Sequence, residues 1–539
     1  MATNTATCKN GEISIKTIYS RRFVEDLKTT FKKVTWESGT NRWILYAWDV
    51  NKMALYAFLE RWKIGKEPSF GKDFDTSILK REFFFEKARA AELGSSFEYE
   101  KPDSASVYPH QECALKLLME NDGNMLISDD MGLGKTCESL LFARNQKKYP
   151  FVVFCPAITK ANWRKEISFW ADVKVDDVAV IEGKTPVSAD FLRSKVSTVI
   201  NYQVVEAHTD ELEDARYKLA IIDETQNIAN PKAKQTKATL NIVEDIPCVV
   251  AMSGTPMINR PIDLYTTLRA IKKNTGDFTF WNYVNRYCGA VQTKYGWKFD
   301  GATNLAELNE KLLKGIMIRR KKEDVLKELP PKNRKYFYIE MPEKVSTLYA
   351  EIRKDFSIYY NAVRGNSSEK FTAEKFTMIE KLKKIAIDGK KSKVVDFVLK
   401  THSAVKKLIV YGHHIYFLDF LEKRLNESSI KTYRIDGETP QKDRDSNIEE
   451  FNTSSNCVLV CGIKCASTGL NLQTCNTIIF AELTWTPSDH LQAEDRIYRI
   501  GQKRRCDIYY LIAEGTIEEK VYNVICRKDK VIKKAIDDE

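Results

Sequence analysis

Ten short apolar runs, five in each half of the chain, alternate with helical patterns. They fall at 124–128, 151–155, 198–202, 219–222 and 248–252, then at 408–411, 432–435, 458–461, 477–480 and 508–512. Each is rich in Val and Ile and shows no polar alternation that would mark a solvated face. A strand without a polar face must be covered on both sides, as in a parallel sheet flanked by helices. Two such sets predict an α/β protein with two tandem doubly wound parallel-sheet lobes.

Residues 257–330 and 340–405 read differently, as Lys-rich helical patterns inserted in the lobes. Leu329-Pro330-Pro331-Lys332 is a stiff break and marks an inter-lobe boundary. The chain has 539 residues, enough for three to four units. We expect an accessory domain at 1–100. Lobe one follows at 101–318 with an insertion at 257–318, then lobe two at 319–539 with an insertion at 340–405. In the first unit, residues 31–36 and 42–48 with a polar turn at 37–41 read as a hairpin between helical patterns, giving a small α+β domain.

No apolar run approaches the roughly 20 residues that cross a bilayer. Met1-Ala2-Thr3-Asn4-Thr5 lacks the charged start of a secretory signal, so a cytoplasmic or nuclear protein is expected. The net charge of +11, from 85 Lys and Arg against 74 Asp and Glu, suits a phosphate-backbone partner without establishing one. Cys457, Cys461 and Cys465 recur every four residues, but the first two flank an apolar strand, Val458-Leu459-Val460. We read the twelve cysteines as free thiols of a reducing compartment rather than zinc ligands.

The run at 124–128 leads into Asp129-Asp130-Met131-Gly132-Leu133-Gly134-Lys135-Thr136, and a helix follows. A loop between strand and helix aims backbone N–H groups and the positive helix end at one point, a ready phosphate site. The cradle would be Asp130, Met131, Gly132, Leu133 and Gly134, with Lys135 on the β- and γ-phosphates and the Thr136 hydroxyl on Mg²⁺. The strict G-x4-G-K-[ST] pattern is broken, because Asp129 stands where its first glycine belongs.

The run at 219–222 ends in Asp223-Glu224. Acids at the carboxyl end of a parallel strand lie in the crevice where ligands bind. Asp223 would hold Mg²⁺ and Glu224 would polarise the attacking water. Far downstream, Thr486-Pro487-Ser488-Asp489 opens a helix that Gly501 closes, with Thr486 as N-cap and Asp489 completing a capping box. Gln492, Arg496 and Arg499 share one face of that helix, and the arginines would stabilise charge on a transferring phosphoryl group.

These residues, over about 107–530, resemble a SWI/SNF-type helicase-like ATPase of superfamily two. Tyr108-Pro109-His110-Gln111 is similar to the family's adenine-reading glutamine motif. Cys155-Pro156-Ala157 through Asn162-Trp163 resembles motif Ia, and Asn201-Tyr202 stands in the place of motif Ib. Ser253-Gly254-Thr255-Pro256 with Asn259-Arg260-Pro261 looks like motif III. Arg319-Arg320 to Lys332 matches the start of the second lobe, and Tyr411-Gly412-His413-His414 resembles motif IV. Ser467 through Leu472 is similar to motif V, and Gln492 to Gln502 to motif VI. The family has Ala and His where Thr225 and Gln226 stand, and often His where Tyr498 stands.

The resemblance implies RecA-like lobes and an ATP- and Mg²⁺-dependent enzyme stimulated by DNA, tracking along a duplex with little sequence specificity. ATP would contact Gln111 and Gln492. Ser253 and Thr255 would couple nucleotide state to DNA grip, and Gln226 would alter that coupling. Lys160, Asn162, Asn201, Thr468 and Asn471 would hold the DNA backbone. The paired histidines and Phe480-Ala481-Glu482-Leu483-Thr484-Trp485 look most like the annealing-helicase branch, and the hairpin carrying Trp36, Trp43 and Trp48 is similar to its accessory HARP domain. A remodeller that displaces proteins from DNA uses the same engine. An RNA helicase is the other reading, against which motif IV and the Leu-Pro-Pro-Lys junction count.

Overall fold

The computed structural model describes residues 4–9, 12–17, 20–31, 34–37, 42–47, 50, 52–77, 98–294, 296–362, 369–467 and 472–537, with side chains except at 355–376, 441, 466–467 and 529. The N-terminal unit is α+β. Strands β1 (Thr5–Lys9), β2 (Glu12–Lys16), β3 (Thr35–Glu37), β4 (Arg42–Tyr46) and β5 (Gly65–Lys66) form one sheet in the order β3-β4-β2-β1-β5. The expected hairpin is β3 and β4, antiparallel with Trp36 opposite Trp43. It is shorter than expected. Phe31 instead caps the helix Arg21–Thr30 through its N–H to Leu27 O, and Trp48 lies outside the described residues.

Lobe one carries β6 (Met125–Ile127), β7 (Phe151–Cys155), β8 (Val178–Val180), β9 (Ser197–Asn201), β10 (Leu219–Asp223) and β11 (Cys248–Met252). A small hairpin, β12 (Val291–Thr293) and β13 (Gly296–Lys298), sits in the insertion among the helices Ile262–Ala270, Phe280–Tyr287 and Leu305–Leu313. The chain then returns to the sheet as β14 (Met317–Ile318). The seven strands run in the order β14-β6-β11-β10-β7-β9-β8, all parallel. Burial on both faces is explicit in β7. Val152 and Phe154 enter one core while Phe151, Val153 and Cys155 enter the core on the other side.

Lobe two carries β15 (Lys332–Ile339), β16 (Lys407–Gly412), β17 (Thr432–Ile435), β18 (Cys457–Gly462), β19 (Thr477–Phe480) and β20 (Cys506–Ala513). Their order is β15-β20-β19-β16-β18-β17, again all parallel. In β16, Ile409 and Tyr411 face one core and Leu408 and Val410 the other. Its insertion is two helices, Glu343–Ala362 and Glu369–Val405.

Two features cross the expected boundary at residue 319. Arg319 and Arg320 stay with lobe one, Arg320 accepting from the N–H of Asp130 at 3.0 Å. The final helix, Ile517–Ile536, begins in the lobe-two core with Ile517 and Val521 and ends in the lobe-one core with Ala535 and Ile536. Asp537 then pairs with Arg319 at 2.7 Å. The C-terminal helix therefore braces both lobes instead of belonging to the second. No described helix is long and apolar enough to cross a membrane.

Candidate active site

In lobe one, β11 lies between β6 and β10, so their carboxyl ends bring three loops side by side. The loop after β6 is the phosphate loop. Gly134 caps the helix Lys135–Asn145 in the left-handed region, at φ 96°. A Cβ there would stand 2.0 Å from Gln111 Nε2, so only glycine fits. Gln111 donates through Nε2 to Leu133 O at 2.9 Å and accepts from Tyr108 N at 3.0 Å. His110 reaches the same carbonyl at 2.9 Å. Lys135 donates to the carbonyls of Asp129 and Asp130 at 2.7 and 3.2 Å, which folds its ammonium back over the loop. Thr136 follows in the first turn of the helix.

After β10, Asp223 accepts from Trp163 Nε1 at 3.0 Å. Its carboxyl is pushed up to about 7, burial being the largest cause and Glu224 the next. Glu224 sits at φ 54° and turns its carboxylate toward the neighbouring loop. Its Oε2 accepts from Gln226 Nε2 at 2.8 Å, and Gln226 Oε1 accepts from the Ser253 hydroxyl at 2.8 Å. Ser253 Oγ accepts in turn from Thr255 N at 3.1 Å. The four residues form one continuous chain from the Glu224 carboxylate to the loop after β11. Gly254 lies against the phosphate loop: a Cβ on it would stand 2.6 Å from Met131 Cγ and 3.4 Å from Lys135 Nζ.

The arginines come from lobe two. Their helix is shorter than expected, Pro487–Glu494, and Thr486 caps it without a side-chain bond, so the capping box is not made. Arg496 and Arg499 follow on tighter turns, with the N–H groups of Arg496 and Ile497 bonding three residues back, and Gly501 at φ 93° ends the segment. The two side chains therefore do not reach the site by regular helical spacing. They reach it nonetheless. Arg499 Nε stands 3.5 Å from where a Cβ on Gly132 would lie. Arg496, buried, interacts electrostatically with Glu224 across the cleft. Burial and then Arg496 lower the Arg499 guanidinium to about 10, the cost of two cations facing one cleft. Gln492 is buried on the preceding helix.

What holds this segment against lobe one was not anticipated. Lys322 Nζ donates to Tyr498 O at 2.6 Å and pairs with Asp495 at 2.8 Å, while its backbone N–H donates to Asp130 Oδ2 at 2.9 Å. Asp130 also pairs with Arg319 at 2.9 Å, so its carboxylate faces the linker and not the loop interior. Asp129 pairs with buried Arg320, which also bonds Glu138 at 3.1 Å and the carbonyl of His110. Asp129 stands in the glycine position because it anchors that arginine. Consecutive acids at 129–130 and consecutive arginines at 319–320, each beside a short apolar run, are the sequence signal that could have found the pairing. In lobe two, buried Glu494 takes Arg334 through two bonds of 2.6 Å, Lys332 at 3.0 Å and the Tyr510 hydroxyl at 2.8 Å.

The residues expected to grip DNA are placed less uniformly. Lys160 is buried and its ammonium bonds Ile181 O at 2.9 Å and Glu182 at 2.8 Å, so it is tied inside lobe one. Asn162 is exposed on the helix Lys160–Trp170. Asn201 is buried and donates to Gln203 Oε1 at 2.8 Å. Thr468 and Asn471 lie outside the described residues. On the Lys-rich insertion helix, Lys383 and Lys390 are both buried, and Lys390 pairs with Glu518 at 2.6 Å. Trp485 packs on the lobe-two core.

The family model of the SNF2-related domain matches residues 110–391, and that of the helicase conserved C-terminal domain matches 389–501. Among curated proteins, the chain is 30% identical over 477 residues to SWI/SNF-related matrix-associated actin-dependent regulator of chromatin subfamily A-like protein 1 of Xenopus tropicalis, covering 87% of this chain and 48% of that protein. The Xenopus laevis protein of that name is 32% identical, over 80% of this chain and 44% of its own length. Human DNA annealing helicase and endonuclease ZRANB3 is 30% identical, over 79% of this chain and 40% of its length. The chain thus spans less than half of each of these three relatives. The likeness to the solved Sulfolobus solfataricus SWI2/SNF2 ATPase core in complex with dsDNA is low, at TM-score 0.39 and 23% identity over 81% of this chain and 94% of that one. With the phosphate loop, the paired acids and the facing arginines in place across two parallel-sheet lobes, the chain belongs to the SNF2-related family of SWI/SNF-type superfamily-two proteins.

Proposed function

We propose that the chain is an ATP-dependent translocase of duplex or branched DNA that rewinds strands or remodels forks. One observation carries the reading: Arg496 and Arg499 of lobe two face the phosphate loop and Glu224 of lobe one. In this reading the backbone N–H groups of residues 132–136 and the Lys135 ammonium hold the triphosphate, and Gln111 fixes the loop through Leu133 O. Asp223 and Thr136 are the residues that would hold Mg²⁺. The donor set fits a hard cation, because a buried carboxyl beside a second acid is raised to about 7 and a bound cation would bring it down. Bound Mg²⁺ supplies neutralisation of phosphate charge.

Glu224 takes a proton from the attacking water, and Gln226 holds Glu224 through Oε2 so that the other oxygen faces the water. Arg496 and Arg499 stabilise charge on the transferring group, and their withdrawal after hydrolysis lets the lobes part. The hydrogen-bond chain through Gln226 and Ser253 passes the state of Glu224 to the loop after β11. DNA is held by its backbone, with exposed Asn162 as one contact, Thr468 and Asn471 as contacts that rest on the sequence motif alone, and Lys160 only if its internal bonds are exchanged. The names of the relatives, which include DNA annealing helicase, favour DNA and the rewinding reading. A nuclear or cytoplasmic placement goes with that substrate.

The test is ATP turnover with double-stranded DNA, forked DNA and RNA at one salt concentration, followed by reannealing of a protein-coated bubble. The proposal expects stimulation by duplex or forked DNA and ATP-dependent reannealing. Stimulation by RNA alone would overturn it.

A further inference from the structure

The paired histidines after β16 are not used by the nucleotide chemistry, and their surroundings are specific. His413 and His414 follow Gly412 at the carboxyl end of β16, where the chain turns into the helix Ile415–Glu427, so both rings project to one side. Their Nε2 atoms lie 3.8 and 3.6 Å from one carboxylate oxygen of Glu380, which comes from the long insertion helix Glu369–Val405. One donor atom from each of the three residues lies within 4.8 Å of the others. Donors bound to a tetrahedral Zn²⁺ at about 2.0–2.2 Å stand roughly 3.3 Å apart, so the two histidine–Glu380 pairs are already close to that spacing and no pair needs to close by more than about 1.5 Å, within reach of side-chain rotation.

The fourth participant sits behind. Glu482, buried just past the end of the adjacent strand β19, accepts the backbone N–H groups of His413 and His414 on Oε2, at 2.7 and 2.9 Å. Its Oε1 is 2.5 Å from His414 Nδ1. A carboxylate in that position accepts the hydrogen bond from Nδ1–H, which fixes the tautomer and leaves the Nε2 lone pair facing Glu380. This carboxylate–histidine arrangement is what orients imidazole in metal centres. Opposing it is Lys383, one turn along the helix and 3.5 Å from the other oxygen of Glu380, the cation that pairs with this cluster among the described residues. Two carboxylates against one ammonium leave a net charge of −1 (−2 + 1) beside the two rings, which favours a cation.

We propose that His413, His414 and Glu380 bind a divalent transition metal of the zinc class, with one coordination position open to solvent. Imidazole nitrogens with a single carboxylate suit Zn²⁺, Co²⁺ or Ni²⁺ rather than Mg²⁺, so the site is chemically separate from Asp223 and Thr136. The ion joins the insertion helix to the carboxyl edge of the lobe-two sheet.

The experiment uses the whole chain and Co²⁺ alone, then Zn²⁺ alone. The proposal expects a visible tetrahedral Co²⁺ band that saturates at one equivalent, is displaced by Zn²⁺, and accompanies a rise in Tm. Glu380→Gln, at a half-exposed side chain that does not threaten folding, should weaken binding about 100-fold, and Glu482→Gln about 10- to 100-fold. His413→Ala should do the same as Glu380→Gln. Absence of the band in the wild type overturns the site. So does a band that survives unchanged in Glu380→Gln and His413→Ala, or one that carries thiolate charge transfer and vanishes in Cys526→Ser, Cys526 being the one cysteine that is not buried.

Discussion

Asp223→Asn should make the nucleotide-free protein more stable at alkaline pH while ending its turnover. The Asp223 carboxyl moves from an ordinary 3.8 to about 7, mainly through burial and secondarily through Glu224. A carboxyl raised on folding keeps its proton in the folded state after the unfolded chain has released it. Stability therefore falls as pH climbs from about 4 to about 7 and falls no further above that. The shift is about 3 units, or about 4 kcal/mol once ionisation is complete. Between pH 5 and pH 8 the loss attributable to this side chain is about 2 to 3 kcal/mol. The amide of Asn carries no charge and its oxygen can still accept from Trp163 Nε1, so the variant isolates the ionisation. Urea unfolding at pH 5 and pH 8, without nucleotide or Mg²⁺, reads it directly. The wild type should lose about 2 to 3 kcal/mol more than Asp223→Asn over that interval, and Mg²⁺ should recover part of the difference. Equal losses in the two proteins would refute the reasoning, because the Asp223 carboxyl would then titrate in the fold as it does in the unfolded chain.

Gln226→Ala cuts the chain between Glu224 and Ser253, so it should lower stimulation of turnover by DNA more than it lowers nucleotide affinity, as steady-state rates with and without duplex would show. Gly134→Ala places a Cβ 2.0 Å from Gln111 Nε2 at φ 96° and should abolish nucleotide binding in a fluorescent-analogue titration while the far-UV spectrum is kept. Glu494 is held down to about 2; burial alone would raise it, and Lys332 and Arg334 outweigh that. A depressed carboxylate contributes its stability above about pH 4.5 and loses it as pH falls toward 2. Glu494→Gln leaves those cations facing a neutral amide and should cost about 3 to 5 kcal/mol at pH 7 by denaturant titration, a penalty that shrinks in acid.

The lobes were legible because their central strands are buried on both faces. Nine of the ten expected runs are interior strands of the two sheets, and the tenth, β17, lies at a sheet edge. The strands that escaped notice in the lobes are β8, β14 and β15, all at sheet edges or paired on one side only. β15 reads Lys332-Asn333-Arg334-Lys335-Tyr336-Phe337-Tyr338-Ile339, which has no doubly apolar signal because most of it is solvated. In the site, the phosphate loop and acids were legible from local spacing. The contacts of Arg320 and Lys322 with Asp129, Asp130 and Glu138 were not, since they join residues 182 to 192 positions apart that no local pattern links. The DNA-facing residues fared worst. Lys160 is a plausible phosphate ligand by type and position, yet local folding places Glu182 within reach and satisfies it first.

The central claim is that guanidinium groups from the second lobe complete a nucleotide site built on the first. Single-turnover hydrolysis of ATP by Arg499→Ala on duplex DNA, with affinity measured in parallel by a fluorescent nucleotide, tests it most directly. The account predicts binding within about tenfold of wild type and a rate reduced about 10³-fold or more. Hydrolysis at the wild-type rate would contradict it.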